Sequence, residues 1–256
     1  LTKDDMMPIA TSLRSLAVAG TTALALALAA CGGGDTTTSG GDRIEPVAAP
    51  AGKSWSQVVE ATPDGMRMGN PDAPLQLIEF VSPTCSHCAD FSRTGSEPLK
   101  REFVDSGRVS LEIRPFMLNA IDLVLASGVN CAGPDRYFPL LENLYASQEE
   151  LQAGFSSAPQ DLLQQASAQP EAERFAFLAQ GLKIDTFFAA RGLPADQLNR
   201  CLTDVAKVNH WAESTERNSK EFEISGTPSF VLNGELLAGT ADWPSLRQRL
   251  QAAGAR

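Results

Sequence analysis

Leu75-Gln76-Leu77-Ile78-Glu79-Phe80-Val81-Ser82-Pro83-Thr84-Cys85-Ser86-His87-Cys88 is the stretch whose reading decides the fold. Its first seven residues form a short, largely apolar run. Such a run suits a strand covered on both faces, as in a sheet flanked by helices. A Cys-x-x-Cys pair with a histidine inside it follows, and then a helical pattern. Two cysteines at this spacing can close a small disulfide or hold a metal. The strand before them and the helix after them favour redox chemistry. At a helix start the unpaired backbone N–H groups and the helix dipole favour an anion, and a Cys85 thiolate would be that anion. A protonated His87 would add a second positive influence. Such settings lower a cysteine pKa to about 3.5–7.5, and the thiolate is the attacking species.

Other uses of the pair stay open. A zinc site would need two more ligands at suitable spacing. Cys31, Cys131 and Cys201 form no second pair, and His210 lies far along the chain in a helical pattern. Covalent haem attachment needs histidine after the second cysteine, where Ala89 stands. A purely structural use of both cysteines is the third alternative. No metal site is expected, and no cofactor beyond a redox-active Cys85–Cys88 disulfide.

Outward from this core, the pattern predicts a helix from Ser86 to about Asp105, kinked or split at Pro98. Val109, Leu111 and Ile113 alternate with polar residues in a second strand ending near Pro115. Strand, helix, strand is a parallel crossover unit. From about Asn119 to Phe222 the pattern is helical throughout. Phe138, Leu141, Leu144 and Tyr145 share one helix face; Val205, Val208, Trp211, Ala212 and Thr215 share another. Ser229 to Leu232 reads as a strand, Asn233-Gly234 as a hairpin turn and Glu235 to Ala238 as its partner. Trp243 to Ala252 is a closing helix with Asp242 as N-cap and Pro244 in its first turn.

The N-terminal residues read as a targeting segment. Arg14 precedes an apolar stretch from Leu16 to Ala30, at about fifteen residues shorter than the roughly 20 a membrane span needs. It fits a signal-peptide core. Its end, Leu28-Ala29-Ala30-Cys31-Gly32, resembles the bacterial lipobox, which implies lipidation of Cys31. An ordinary signal peptide with a chance cysteine is the alternative. Residues 32–53 are rich in Gly, Thr, Ser, Pro and Ala and are expected to form a disordered tether of about 25 Å. The expected organisation is a signal peptide at 1–30, the lipidated cysteine and tether at 31–55, and a folded part from 56 onward.

An exported chain sits where disulfides persist. Five cysteines less Cys31 leave the Cys85/Cys88 pair, and Cys131 with Cys201. The latter two are expected to form a structural disulfide, two free buried thiols being the alternative. With 21 basic and 31 acidic residues the net charge is −10. That balance gives no reason to expect nucleic acid, whose binders carry basic patches.

Taken together, three features resemble the DsbA-like thiol–disulfide oxidoreductases of the thioredoxin superfamily. They are strand-Cys85-Ser86-His87-Cys88-helix, Gly226-Thr227-Pro228 directly before a strand and hairpin, and the order β-α-β, long helical insertion, β-β-α. The resemblance covers about residues 62–252. It implies an α/β chain: a thioredoxin-like fold in two parts, 56–118 and 223–256, around an inserted all-helical domain, 119–222. It implies that Pro228 is a cis-proline facing the redox pair and that the backbone at Thr227 and Pro228 pairs with a substrate chain. Glu79 reads either as a strand-edge residue reaching solvent or as a buried acid relaying a proton for Cys88. The family has an acid at this place, which favours the second.

The expected activity is disulfide donation to exported proteins, with Cys85 attacked by a substrate thiolate and His87 tuning the potential. Ser86 stands where the best-known oxidases have proline, and Thr227 also occurs in isomerase and reductant branches. Isomerases of the family usually add an N-terminal dimerisation domain, for which 32–61 is too short, so a monomer is expected. A lipid-anchored periplasmic location follows from the lipobox-like segment, and a quinone-linked membrane redox partner would have to reoxidise an oxidase. Isomerisation, reduction, and a tethered copper- or thiol-binding module without turnover remain alternatives.

Overall fold

The computed structural model describes residues 41–256. The expected signal peptide, the lipidation site Cys31 and the first part of the tether lie outside the described residues. The framework is a six-stranded mixed sheet in the order β1-β2-β4-β3-β5-β6. Its strands are β1 (Val59–Ala61), β2 (Met66–Gly69), β3 (Leu75–Val81), β4 (Val109–Pro115), β5 (Ser229–Leu232) and β6 (Glu235–Leu236). β3 and β4 run parallel, and the other neighbours are antiparallel. β3 lies inside the sheet, so both its faces are covered. Leu75, Leu77 and Val81 enter the main core, whereas Phe80 enters a second cluster with Phe116, Ile224 and Val231. Period-2 alternation puts Glu79 on the main-core face. There its cross-strand neighbours are Ile113 and Phe230.

The crossover from β3 to β4 differs from the expected single helix. α1 (Ser86–Thr94) ends at Gly95, α2 spans Ser96–Leu99, and a π-helical turn spans Lys100–Val104. The break thus falls at Gly95, not at Pro98. A Cβ at Gly95 would lie 2.7 Å from the Phe91 ring, which is too close for a side chain. Pro98 is tolerated because it sits in the first turn of α2, where its missing N–H would have no helical partner.

Between β4 and β5 every element is a helix: α3 (Ala120–Cys131), α4 (Pro134–Ala146), α5 (Gln148–Ser156), α6 (Leu162–Ser167), α7 (Arg174–Gly181), α8 (Ile184–Ala190), α9 (Ala195–Thr203) and α10 (Val205–Glu221). Tyr137, Leu144 and Phe188 are almost wholly buried there. Cys131, at the end of α3, is bonded to Cys201 in α9 with their Cα atoms 6.2 Å apart. α11 (Trp243–Ala252) closes the chain, with the Asp242 side chain accepting from Ser245 N. Asn233 and Gly234 both have positive φ, the pairing a two-residue hairpin turn requires. The second hairpin strand stops at Leu236 rather than at Ala238.

Two further expectations are corrected. Residues 41–53 are not a free tether. Gly41 N–H and Ile44 N–H donate to Ala252 O and Gly254 O, Val47 N–H donates to Ser106 O, and the Trp55 indole donates to Val47 O at 2.8 Å. A composition reading weighs what a segment can bury, and misses a segment held by its backbone. The second correction concerns β1 and β2, which the sequence pattern does not mark. Met66-Arg67-Met68-Gly69 has little intrinsic strand preference and becomes a strand by pairing with β4, which buries both methionines.

Candidate active site

The site begins with a turn. Ser82-Pro83-Thr84-Cys85 folds back so that Cys85 N–H donates to Ser82 O at 3.1 Å, with proline at the position whose φ it pre-sets. Cys85 is then the N-cap of α1, in an extended conformation. Its sulfur therefore faces the helix's unpaired N–H groups. Ser86 and His87 form the exposed first turn of α1, while Cys88 is 1% exposed.

β5 supplies the opposing wall. It runs antiparallel to β3 with Phe80 opposite Ser229, so the start of β5 meets the end of β3. The Thr227–Pro228 bond, just before β5, is cis. The Cys85 thiol donates to Thr227 O across 3.2 Å. Both cysteines are free thiols in this structure. Among the described residues no cluster of three or more His, Cys, Asp or Glu is placed to hold a metal ion.

The two sulfurs differ in their electrostatics. The Cys85 pKa is lowered from 9.0 to about 5, first by the hydrogen bond from the Cys88 thiol. Partial burial opposes this. The Thr227 hydroxyl and the backbone N–H groups of Cys88 and His87 add to the lowering. Thr227 Oγ1 is buried without a hydrogen-bond partner. Cys88 is pushed far up, by burial first and then by its neighbour Cys85. The pair can thus hold one negative charge, on Cys85.

Glu79 lies beneath this pair, 5% exposed, with its pKa raised to about 8 by desolvation. It is close enough for its charge to raise Cys88 further. A small cavity beside it is lined by Ser92, Ser96, Tyr145 and the Lys100–Glu142 ion pair. Glu79 is 5% exposed in a strand inside the sheet, so the reading of it as a strand-edge residue reaching solvent is corrected.

Sequence reasoning missed the residues that hold the turn. Asp122 accepts from Ser82 Oγ, Thr84 N and Leu118 N; the Tyr145 hydroxyl donates to Ser82 O; Gln148 Nε2 donates to Pro83 O and Cys85 O. Asp122 carried a faint signal as an acid in an apolar stretch. At the start of a helix, however, it reads as a dipole partner. Tyr145 reads as an ordinary core aromatic, and Gln148 carries no signal. The Cys131–Cys201 disulfide stands apart from these residues, within the helical insertion.

A thioredoxin family model matches residues 61–252. A solved structure described as a protein-disulfide isomerase from Novosphingobium aromaticivorans is 36% identical, covers 74% of this chain and 97% of its own, and superposes with a TM-score of 0.69. The α-DsbA1 protein of Wolbachia pipientis shares the fold at 19% identity, covering 79% of this chain and 98% of its own, with a TM-score of 0.59. A Rickettsia conorii protein provisionally named a protein-disulfide oxidoreductase is 24% identical over 72% of this chain. The chain spans 59% of that protein's length. With the Cys-x-x-Cys pair at the head of α1, the cis-proline loop opposite it and the helical insertion between β4 and β5, the chain belongs to the thioredoxin family.

Proposed function

We propose that this protein is a thiol–disulfide oxidoreductase that donates the Cys85–Cys88 disulfide to exported proteins. The observation that carries the reading is the placement of Cys85: at the N-terminus of α1, 3.2 Å from Thr227 O beside the cis bond, above a buried Cys88. In the oxidised form a substrate thiolate attacks Cys85 Sγ. The Cys85–Cys88 bond breaks as the mixed disulfide forms, and Cys88 leaves as a thiolate. That anion is buried and costly, so it takes a proton, and protonated Glu79 is the nearby acid placed to give one. A second substrate thiolate then attacks the substrate sulfur of the mixed disulfide and expels Cys85 as a thiolate. Two substrate thiols become one disulfide, and the protein gains two electrons.

The lowered Cys85 pKa supports the donor direction. It makes Cys85 a good leaving group and stabilises the reduced protein, which raises the potential. The backbone at half-buried Thr227, beside buried Pro228 and against Cys85, suits an extended peptide bound through its main chain. His87 contributes its backbone N–H to Cys85, and its exposed imidazole adds positive charge when protonated. Ser86 leaves the first helical turn open to an approaching chain. Lipidation at Cys31, a periplasmic location, a quinone-linked membrane oxidant and a monomeric state complete the proposal. They rest on the lipobox-like sequence and the family resemblance.

Isomerisation is the second reading, favoured by the description of the Novosphingobium structure. It needs the same parts with Cys85 kept reduced. Equilibration with glutathione buffers tests the donor reading. A potential near −120 mV, about that of a strong oxidant, supports the donor. One near −270 mV, about that of thioredoxin, overturns it in favour of an electron donor.

A further inference from the structure

The turn that carries Cys85 into α1 is held by the helical insertion rather than by the sheet. Asp122 from α3 binds Ser82 and Thr84, Tyr145 from α4 binds Ser82 O at 3.1 Å, and Gln148 opens α5. Gln148 is 8% exposed, and its Nε2 lies 3.1 Å from Pro83 O and 3.0 Å from Cys85 O. Its amide orientation follows from these partners. Two carbonyl oxygens accept two hydrogens from the NH2 end, whereas the amide oxygen would meet them with like partial charge.

We propose that Gln148 is a positioning residue for thiol–disulfide exchange: it pins the carbonyls of Pro83 and Cys85 and so holds Cys85 Sγ against Thr227 O and over the first turn of α1. The inference rests on the redox role of Cys85 proposed above. Cys85 O also receives the first helical bond, from Ala89 N at 3.2 Å, which is at the long end for such bonds. Gln148 is the second donor to that oxygen. Without it Cys85 O keeps only the long bond from Ala89 N, and Cys85 Sγ moves off the N–H groups of His87 and Cys88. Gln148 is itself fixed by its neighbour, because Arg191 Nη2 donates to Ser147 Oγ at 3.0 Å. The insertion therefore reaches the redox sulfur through the main chain, with no side chain on the sulfur itself.

The test follows the thiolate absorbance of Cys85 against pH, and the equilibrium with glutathione, in the full chain and in two variants. Gln148→Leu is expected to raise the Cys85 midpoint by about one unit and to lower the equilibrium constant for oxidising glutathione about tenfold, one pKa unit being a factor of ten. A role in packing alone would lower the thermal stability of both redox forms and move neither quantity. Gln148→Met keeps the length, offers no hydrogen to either carbonyl and brings no charge near the sulfur. It is expected to shift the midpoint as far, and stands in if the leucine variant does not fold. A folded variant whose midpoint and glutathione equilibrium match the unmodified protein overturns the assignment of Gln148. An unmodified protein that forms no mixed disulfide with glutathione overturns the redox reading of Cys85 itself.

Discussion

Two carboxylates are buried within reach of the redox turn, and they live in opposite surroundings. Asp122, fully buried at the start of α3, accepts hydrogen bonds from Ser82 Oγ, Thr84 N and Leu118 N. Glu79, buried in the middle of β3, is flanked on neighbouring strands by Ile113 and Phe230, and desolvation raises its pKa to about 8. The difference teaches what burial alone does not. A buried acid surrounded by donors has its oxygens paired and serves as an organising centre. A buried acid among apolar groups keeps its proton near neutral pH and can give it away.

The first test breaks the comparison from the Asp122 side. Asp122→Ala takes away the acceptor shared by the Ser82 hydroxyl and the backbone N–H groups of Thr84 and Leu118, while Ser82 and Thr84 still reach each other. At roughly 1–3 kcal/mol for an unsatisfied buried group, the loss of stability is about 2 kcal/mol, checked by urea unfolding. A variant as stable as the parent would mean that Asp122 does not organise the turn.

Glu79→Gln is expected to act with the opposite sign. Glu79 holds its proton to about pH 8 in the folded protein and to about 4.5 when unfolded, so the folded state binds the extra proton between these limits. Stability therefore falls as pH rises through that window, and the penalty is complete above about pH 8. Glutamine escapes it. The variant should match the parent below about pH 4.5 and exceed it by up to roughly 5 kcal/mol above pH 8, at about 1.36 kcal/mol per pKa unit. The same variant should slow the release of Cys88 in stopped-flow exchange. A pH-independent stability difference would show that Glu79 is not the buried acid described above.

The smallest effect sharpens the comparison by moving to an exposed group. His87→Ala keeps the backbone N–H that Cys85 uses and removes only a solvent-screened imidazole. The Cys85 midpoint should rise by about half a unit or less, because exposed charges interact weakly in water. A rise of two units or more in the thiolate titration would show that the imidazole, rather than the helix terminus, holds the thiolate.

Much of the site and fold was legible along the chain. The apolar run of β3, the alternation of Val109, Leu111 and Ile113, and the Asn233-Gly234 turn each depend on interactions within a few residues. They appear in the structure where the pattern puts them. The break at Gly95 was not legible because it depends on where the Phe91 ring packs. Nor was β2, whose strand character comes from Ile113, Glu112 and Leu111 across the sheet. Residues 41–53 looked free because their partners, Ser106, Ala252 and Gly254, lie far along the chain.

The sequence by itself determined that two cysteines stand three apart where a strand gives way to a helix, because strand pattern, turn proline and helix start are all local. Tertiary structure alone decided that Cys85 meets Thr227 O, that Glu79 keeps a proton, and that Asp122, Tyr145 and Gln148 hold the turn from a separate layer of helices. Desolvation and hydrogen bonding between distant segments depend on what surrounds a residue in space, and a residue's type and near neighbours do not specify those surroundings.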